Sequence, residues 1–265
     1  MIKHLLFLFA AISFFATSCE EKKPKPTVSP LVSVNMVEKK SRKCVSDSVC
    51  AEISLRYPIL TGGDNTSAVN AINDSLQKMA LAGILANPSL IIEQAFDSAQ
   101  TNLFALLQEQ VKQMPNWGTG FFKSVETKTL LNTSKFLSFE MNASGFEGGA
   151  HPYYFAALTS YDLNSGKSVG LTDVVRDTSA LRPMLEKGFL EAKKQTPADD
   201  TLKLSDLLFP EIGRLPISTN FCLVPEGVRF LYNPYEVASW AVGPTDITLT
   251  WEQLGSLADR NKWLD

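Results

Sequence analysis

The chain has 265 residues, 45% hydrophobic and 20% charged, with a formal net charge of −3. That composition is ordinary for a globular protein, and the absence of a basic stripe argues against a nucleic-acid partner. Only two histidines, His4 and His151, are present, which narrows the metal and proton-transfer chemistry from the outset.

The N-terminus reads as a leader. Lys3 supplies a positive charge, and Leu5 to Ala16 is apolar apart from Ser13. That run is far short of the ~20 helical residues a bilayer core requires, and it has the length of a signal-peptide core. The "ATSC" of Ala16 to Cys19 resembles a bacterial lipobox, which implies cleavage before Cys19 and a diacylglyceryl group on it. Alanine stands three places before the cysteine where leucine is usual, and an ordinary secreted protein is the alternative. Residues 1–18 are therefore expected to be a lipoprotein signal peptide. Residues 19–30, charged and proline-rich, are expected to be a tether behind the lipidated cysteine. A single folded unit is expected over 31–265. It would sit in the cell envelope, held through Cys19 to a bacterial membrane, the outer one by expectation, and face the periplasm or the cell surface.

"LVSVNMVEKK" alternates Val32, Val34 and Met36 with polar residues and predicts a strand. Cys44 and Cys50 flank "VSDSV", and Ser-Asp-Ser is turn chemistry. In an exported chain the pair is expected to close a disulfide across a small hairpin; two free thiols are the alternative. "AEISLRYPIL" predicts a second strand, stopped by Pro58. Asn65 or Thr66 then caps a helix with Val69, Ile72, Leu76 and Met79 on one face. Asn87-Pro88 predicts the start of another, running to about Met114. Its apolar stripe is Ile92, Phe96, Ala99, Leu103, Leu106 and Leu107.

"PNWGTG" ends this helical part. Strands are predicted over Phe121 to Leu131, Lys135 to Ala143, Tyr153 to Leu163 and Ser168 to Leu171, the last two joined by Asn164-Ser165-Gly166. A helix capped by Ser179 runs to about Gln195, and "TPADDT" reads as a solvated loop. Strands follow at Asn220 to Val224, Val228 to Tyr232 and near Ile247 to Trp251, then a short helix. Helices early and antiparallel-looking strands late give an α+β class: a largely antiparallel sheet with packed helices in one compact domain.

The chemistry available is sparse. A catalytic zinc site usually draws on two or more histidines, and His151 alone remains after the leader. No Walker loop, dinucleotide fingerprint or EF-hand loop occurs. Paired carboxylates can lie far apart in a chain, so a carboxylate-based glycan or cell-wall hydrolase stands as the alternative reading. No cofactor or metal is expected. Cys222, in "NFCLVP", reads as a buried thiol.

"GFEGGAHPYYF" is the segment that invites a functional reading. Gly148 and Gly149 permit positive φ, and Pro152 biases His151 toward extended backbone. A bend feeding a strand follows, with His151 fixed by the bend or packed on a ring. Ligand contact and catalysis are the other roles open to it. Tyrosines and tryptophans in or beside the strands can be sheet core, or rings that stack on a sugar face or a protein partner.

"GGAHPYYF" with "YDLNSGKSVGLTDVV", and "FCLVPEGVRFLYNPYEVASWAVGPTDITLTWEQL" near the C-terminus, resemble a bacterial envelope domain family. That family includes the extracellular domain of RsiV-type anti-sigma factors, which bind lysozyme, and the N-terminal region of PdaC-type peptidoglycan deacetylases. The resemblance runs from about Ile53 to Leu254. It implies an α+β recognition module. Gly148, Gly149, His151, Pro152, Tyr153, Tyr235 and Glu236 would serve as ligand contacts or fold determinants. The deacetylase metal needs an aspartate and two histidines, and the mature chain, left with His151 alone once the leader is removed, would not carry that set. The functional expectation is a lipid-anchored envelope module, not itself an enzyme, that recognises a lysozyme-like protein or a peptidoglycan or other glycan ligand.

Overall fold

A computed structural model describes residues 32–194 and 201–264. The leader, Cys19 and the tether lie outside the described residues, as does most of the "TPADDT" loop.

Two sheets carry the fold. The first has five strands in the order β1-β2-β3-β4-β5: Val32–Cys44, Cys50–Gly62, Phe121–Asn132, Phe136–Phe146 and Tyr153–Asp162. All neighbours pair antiparallel except β2 and β3, which run parallel. Helices α1 (Thr66–Gly83) and α2 (Ile92–Gln113) form the crossover between that parallel pair. Asn65 caps α1, its Oδ1 accepting from the Ala68 N–H at 3.1 Å. The second sheet has three antiparallel strands: β6 (Phe221–Val224), β7 (Gly227–Tyr232) and β8 (Thr245–Thr250). Short helices α3 (Leu171–Val174), α5 (Leu204–Leu207), α6 (Trp251–Leu254) and α7 (Arg260–Leu264) surround it. Its principal helix is α4 (Leu181–Lys193). The class is α+β in one compact unit, as the sequence predicts, with the strands divided between two sheets.

Periodicity explains both cores. On β2, Ala51, Ile53, Leu55 and Tyr57 alternate toward the helices and are buried. They meet Ala95, Phe96, Ala99, Leu103 and Leu107 of α2, which recur at helical spacing. On α4, Leu181, Leu185 and Phe189 pack on Phe230, Tyr232, Ile247 and Leu249 of the second sheet. Each such side chain contributes roughly 1.5–3 kcal/mol by leaving water. Gly188 lets α4 approach closely: a Cβ there would lie 2.5 Å from Ile247. Leu131 and Phe136 extend this second core into the first sheet, so the two units share apolar contacts.

Five local expectations are corrected. Pro58 does not stop β2, which continues to Gly62. Leu60, two residues on and so facing the same side, gives its N–H and C=O to the side-chain amide of Asn73 on α1 (2.8 and 3.0 Å) rather than to β1. Pro58 therefore faces away from β1, and β3 pairs with β2 only as far as Arg56. A missing N–H costs no ladder bond there. Helix α2 begins at Ile92, not at Asn87-Pro88, because Asn87 turns back on itself and accepts from the Ser89 N–H at 2.9 Å. Leu106 is 52% exposed, on the solvent side of α2. Ser168 makes only a bridge to Tyr161, and Leu171 opens α3 instead of closing a strand. Asp177, not Ser179, caps the turn leading into α4, accepting from both the Ser179 N–H and hydroxyl.

Cys44 and Cys50 are joined by a disulfide at the end of the β1–β2 hairpin, where they are register partners. Cys222 is a free, fully buried thiol, and burial pushes its pKa up to about 12.

Candidate functional site

Two loops meet at one end of the molecule. One is the β4–β5 connection holding Gly148, Gly149, His151 and Pro152. The other follows β7 and holds Tyr235, Glu236 and Trp240. Gly148 and Gly149 take φ of +93° and +98°, values that an L side chain resists. They turn the chain so that His151 and Pro152 are exposed. The His151 Nδ1 lies 2.8 Å from the Pro152 carbonyl oxygen. Its ring stacks on Trp240, with centroids 4.5 Å apart and planes 18° apart. Trp240 in turn packs at 6.1 Å and 30° against Tyr235. Tyr235 is 58% exposed and holds φ of +68°, with its N–H bonded to the Ala238 carbonyl at 3.0 Å. A non-glycine residue held in the left-handed region costs of order 1–3 kcal/mol, and such residues cluster at functional sites. Three rings thus form a continuous shelf, and below it lies an open cleft of about 310 Å³ lined by Tyr154, Pro234, Trp240, Gly243 and Pro244.

The other motif residues support this arrangement. Tyr153 lies across Gly145, where any Cβ would collide with its ring. Its hydroxyl is buried without a hydrogen-bond partner, and burial, with Glu147 adding to it, pushes its pKa up to about 12. Glu236 faces inward in function if not in exposure. Its carboxylate accepts from the Asn233 N–H at 2.8 Å and from the Asn233 side-chain amide at 3.3 Å. Asn233 is thereby aimed at β5, accepting from the Ala156 N–H (2.8 Å) and donating to the Ala156 carbonyl (3.0 Å). Asn220 donates to that same carbonyl and accepts from the Leu158 N–H, at 2.8 and 2.7 Å. These two side chains occupy the otherwise free edge of β5 and stitch the second sheet to the first. Lys193, in the last turn of α4, donates to the Val242 and Pro244 carbonyls at 2.8 Å each. It pins the loop that carries Trp240, and burial lowers its pKa.

A polar chain leads away from Tyr154 in the cleft wall. The Tyr154 hydroxyl donates to Asn142 (2.6 Å), and Asn142 donates to Glu140 (3.1 Å). Arg229 donates to Glu140 at 2.8 Å and also to Asp246. Burial raises the Glu140 pKa, but the hydrogen bonds from Arg229 and Asn142 outweigh it and hold the carboxyl below its usual range. A glycosidase general acid needs the opposite shift. Glu140 and Asp246 therefore act as counter-ions to Arg229. Among the described residues, no three His, Cys, Asp or Glu side chains are gathered to hold a metal, and no helix is long and apolar enough to cross a membrane.

Sequence reasoning brought forward seven of the residues that meet here or brace the site, but not Trp240 as the partner of His151, nor Asn220, Asn233 and Lys193. The Asn233-Pro234 pair carried a turn signal. Nothing local marked Asn220 or Lys193.

The comparisons agree with this architecture. Residues 44–154 match the family model described as deacetylase PdaC, and residues 172–252 match the protein of unknown function DUF3298. A DUF3298-family crystal structure from Bacteroides fragilis NCTC 9343 aligns with a TM-score of 0.61 at 20% identity, covering 87% of this chain and 96% of that one. Another, from Pseudomonas aeruginosa PAO1, aligns with a TM-score of 0.59 at 15% identity, covering 89% and 98%. At such identities the likeness establishes the fold. No curated protein matches the chain. Residues 44–154 include His151 and residues 172–252 include Tyr235 and Trp240, so the ring shelf joins a segment similar to the PdaC deacetylase model to one similar to the DUF3298 model.

Proposed function

We propose that this protein is a lipid-anchored binding module of the cell envelope that captures a protein or wall-glycan ligand on the His151–Trp240–Tyr235 shelf and catalyses nothing itself. The observation that carries this reading is the shelf: exposed His151 stacked on half-buried Trp240 from a distant segment, which packs in turn against exposed Tyr235 on strained backbone. Ring faces beside an apolar cleft suit the C–H face of a sugar or an aromatic hot spot on a protein. The polar groups nearby are engaged in holding the shelf rather than poised for proton transfer. The lysozyme-binding and peptidoglycan-modifying relatives that the sequence resembles direct the choice of probes.

Calorimetric titrations with lysozyme and with soluble peptidoglycan fragments test the shelf. Trp240→Ala is expected to weaken binding at least tenfold, about 1.4 kcal/mol, with the melting temperature kept within a few degrees. Equal binding by wild type and variant would refute the assignment. The anchor has its own test, because Cys19→Ser should move the protein from the membrane fraction to the soluble one. A variant that still sediments with membranes would remove the lipid from the proposal.

A further inference from the structure

A row of hydroxyls crosses the first sheet from the cleft beside Trp240. Tyr154, in the cleft wall, is in register with Ser144 on β4, Ser124 on β3, Ser54 on β2 and Lys40 on β1. Their sequence neighbours Ile53, Leu55, Val125 and Ala143 point into the helix-side core, so the row lies on the opposite face of the sheet. The Ser54 hydroxyl donates to that of Ser124 at 2.8 Å. The second sheet packs on this face at Ala156 and Leu158, while Ser54, Ser124 and Ser144 remain half-buried and Lys40 exposed. At its far end the row enters a second open cleft of about 510 Å³, whose lining includes Lys40, Ser54 and Ser124. Four inter-strand spacings of about 4.8 Å make the row about 19 Å long.

Its charge pattern restricts the ligand. Arg42 pairs with Glu52 at 2.8 Å, Arg56 with Glu126 at 3.4 Å and Lys40 with Glu38 at 2.6 Å. Nucleic acid and other polyanions draw their affinity from cations free to neutralise them, and here the flanking cations are matched. Small hydroxyls along the floor, neutralised flanks and stacked rings at one end complement a chain that is polyhydroxylated, uncharged and extended.

The geometry points to a single trough for an uncharged polysaccharide chain, with the ring shelf holding one sugar and Ser144, Ser124 and Ser54 following the chain across the strands. This rests on the shelf being the ligand site.

Calorimetric titration of the full-length protein with β-1,4-linked N-acetylglucosamine oligomers of one to six units tests it. A sugar unit is about as long as one strand spacing, so affinity is expected to climb to about four units and then level off. Ser124→Tyr and, separately, Ser54→Tyr place a ring in the trough on a strand face that tolerates one, beyond the two units that a dimer would fill. Each should lower tetramer affinity at least tenfold while leaving dimer affinity within twofold, with melting curves confirming the fold. Affinity that is flat beyond the dimer, or tetramer binding that neither variant alters, overturns the trough; loss on Trp240→Ala in the same series would leave the shelf standing. If no oligomer binds but lysozyme binds and is sensitive to Trp240→Ala, the polysaccharide is overturned and the shelf is kept. If no probe shows binding sensitive to Trp240→Ala, shelf and trough fall together.

Discussion

Tyr235 shows how one residue can be kept against its own backbone preference. Its φ of +68° suits glycine, and the turn around it is held by backbone bonds from Tyr235 to Ala238 and from Glu236 to Asn233, at 3.0 and 3.2 Å. The ring adds nothing to the core, being 58% exposed. Tyr235→Gly should therefore be nearly neutral for stability. Relief of left-handed strain, roughly 1–2 kcal/mol, is offset in large part by the greater unfolded-state entropy of glycine, roughly 0.5–1 kcal/mol. Tyr235→Val should destabilise, since a β-branched residue fits that φ worse than tyrosine. Thermal melts of the three proteins check this order. If glycine proves the most destabilising of the three, the ring holds the fold and the case for a surface role disappears. If glycine is neutral in the melt yet weakens ligand binding, the tyrosine is there for contact.

At the scale of elements, β5 is where the structure manages a liability. It is an edge strand of the first sheet, and its outward N–H and C=O groups would be free to recruit another strand. Asn233 and Asn220 take those groups instead, and Ser160 on β5 receives the Leu223 N–H from β6 at 2.8 Å. Asn233→Ala would strip the Ala156 N–H of its partner and leave the Glu236 carboxylate with one donor fewer. A buried amide left bare costs about 1–3 kcal/mol, so a loss of that size in denaturant stability, with unchanged m-value, is expected. No loss would mean that water replaces the amide. Strands and helices of this kind were legible in sequence where one face is apolar, as on β2 and α2. They were misread where a side chain substitutes for backbone pairing. Pro58 looked like a terminator because Asn73, which covers that side of β2 at Leu60, lies on α1. Asn87-Pro88 looked like a helix start because the same Asn side chain can cap a helix or close a turn. The Ser168 segment had the right neighbours for a strand but makes one bridge only.

For the molecule as a whole, the motif residues were readable and their meeting was not. His151 and Trp240 are far apart in sequence, and no periodicity links a loop of one sheet to a loop of the next. What unites them is the seam between two cores. The first is built on α1, α2 and the five-stranded sheet, the second on α4 and the three-stranded sheet. The seam has an apolar part, where Ala156 and Leu158 meet Cys222, Val224 and Leu231, and a polar part, the asparagine stitches. The shelf spans this seam, so it can exist only while the two cores are docked. Asn220→Ala combined with Asn233→Ala leaves the Ala156 N–H, the Ala156 carbonyl and the Leu158 N–H without their side-chain partners, a destabilisation of roughly 3–9 kcal/mol at about 1–3 kcal/mol per group. Losses at neighbouring sites need not add, but this one is confined to the seam and spares both interiors. Calorimetry is therefore expected to show one transition for the wild type and two for the double variant, the α4 unit melting first. His151–Trp240 stacking, followed by tryptophan emission, should be lost in that first step. A double variant that still melts in one transition would show that the apolar contacts at Ala156 and Leu158 alone couple the cores, and the shelf would then owe its geometry to packing rather than to the asparagines.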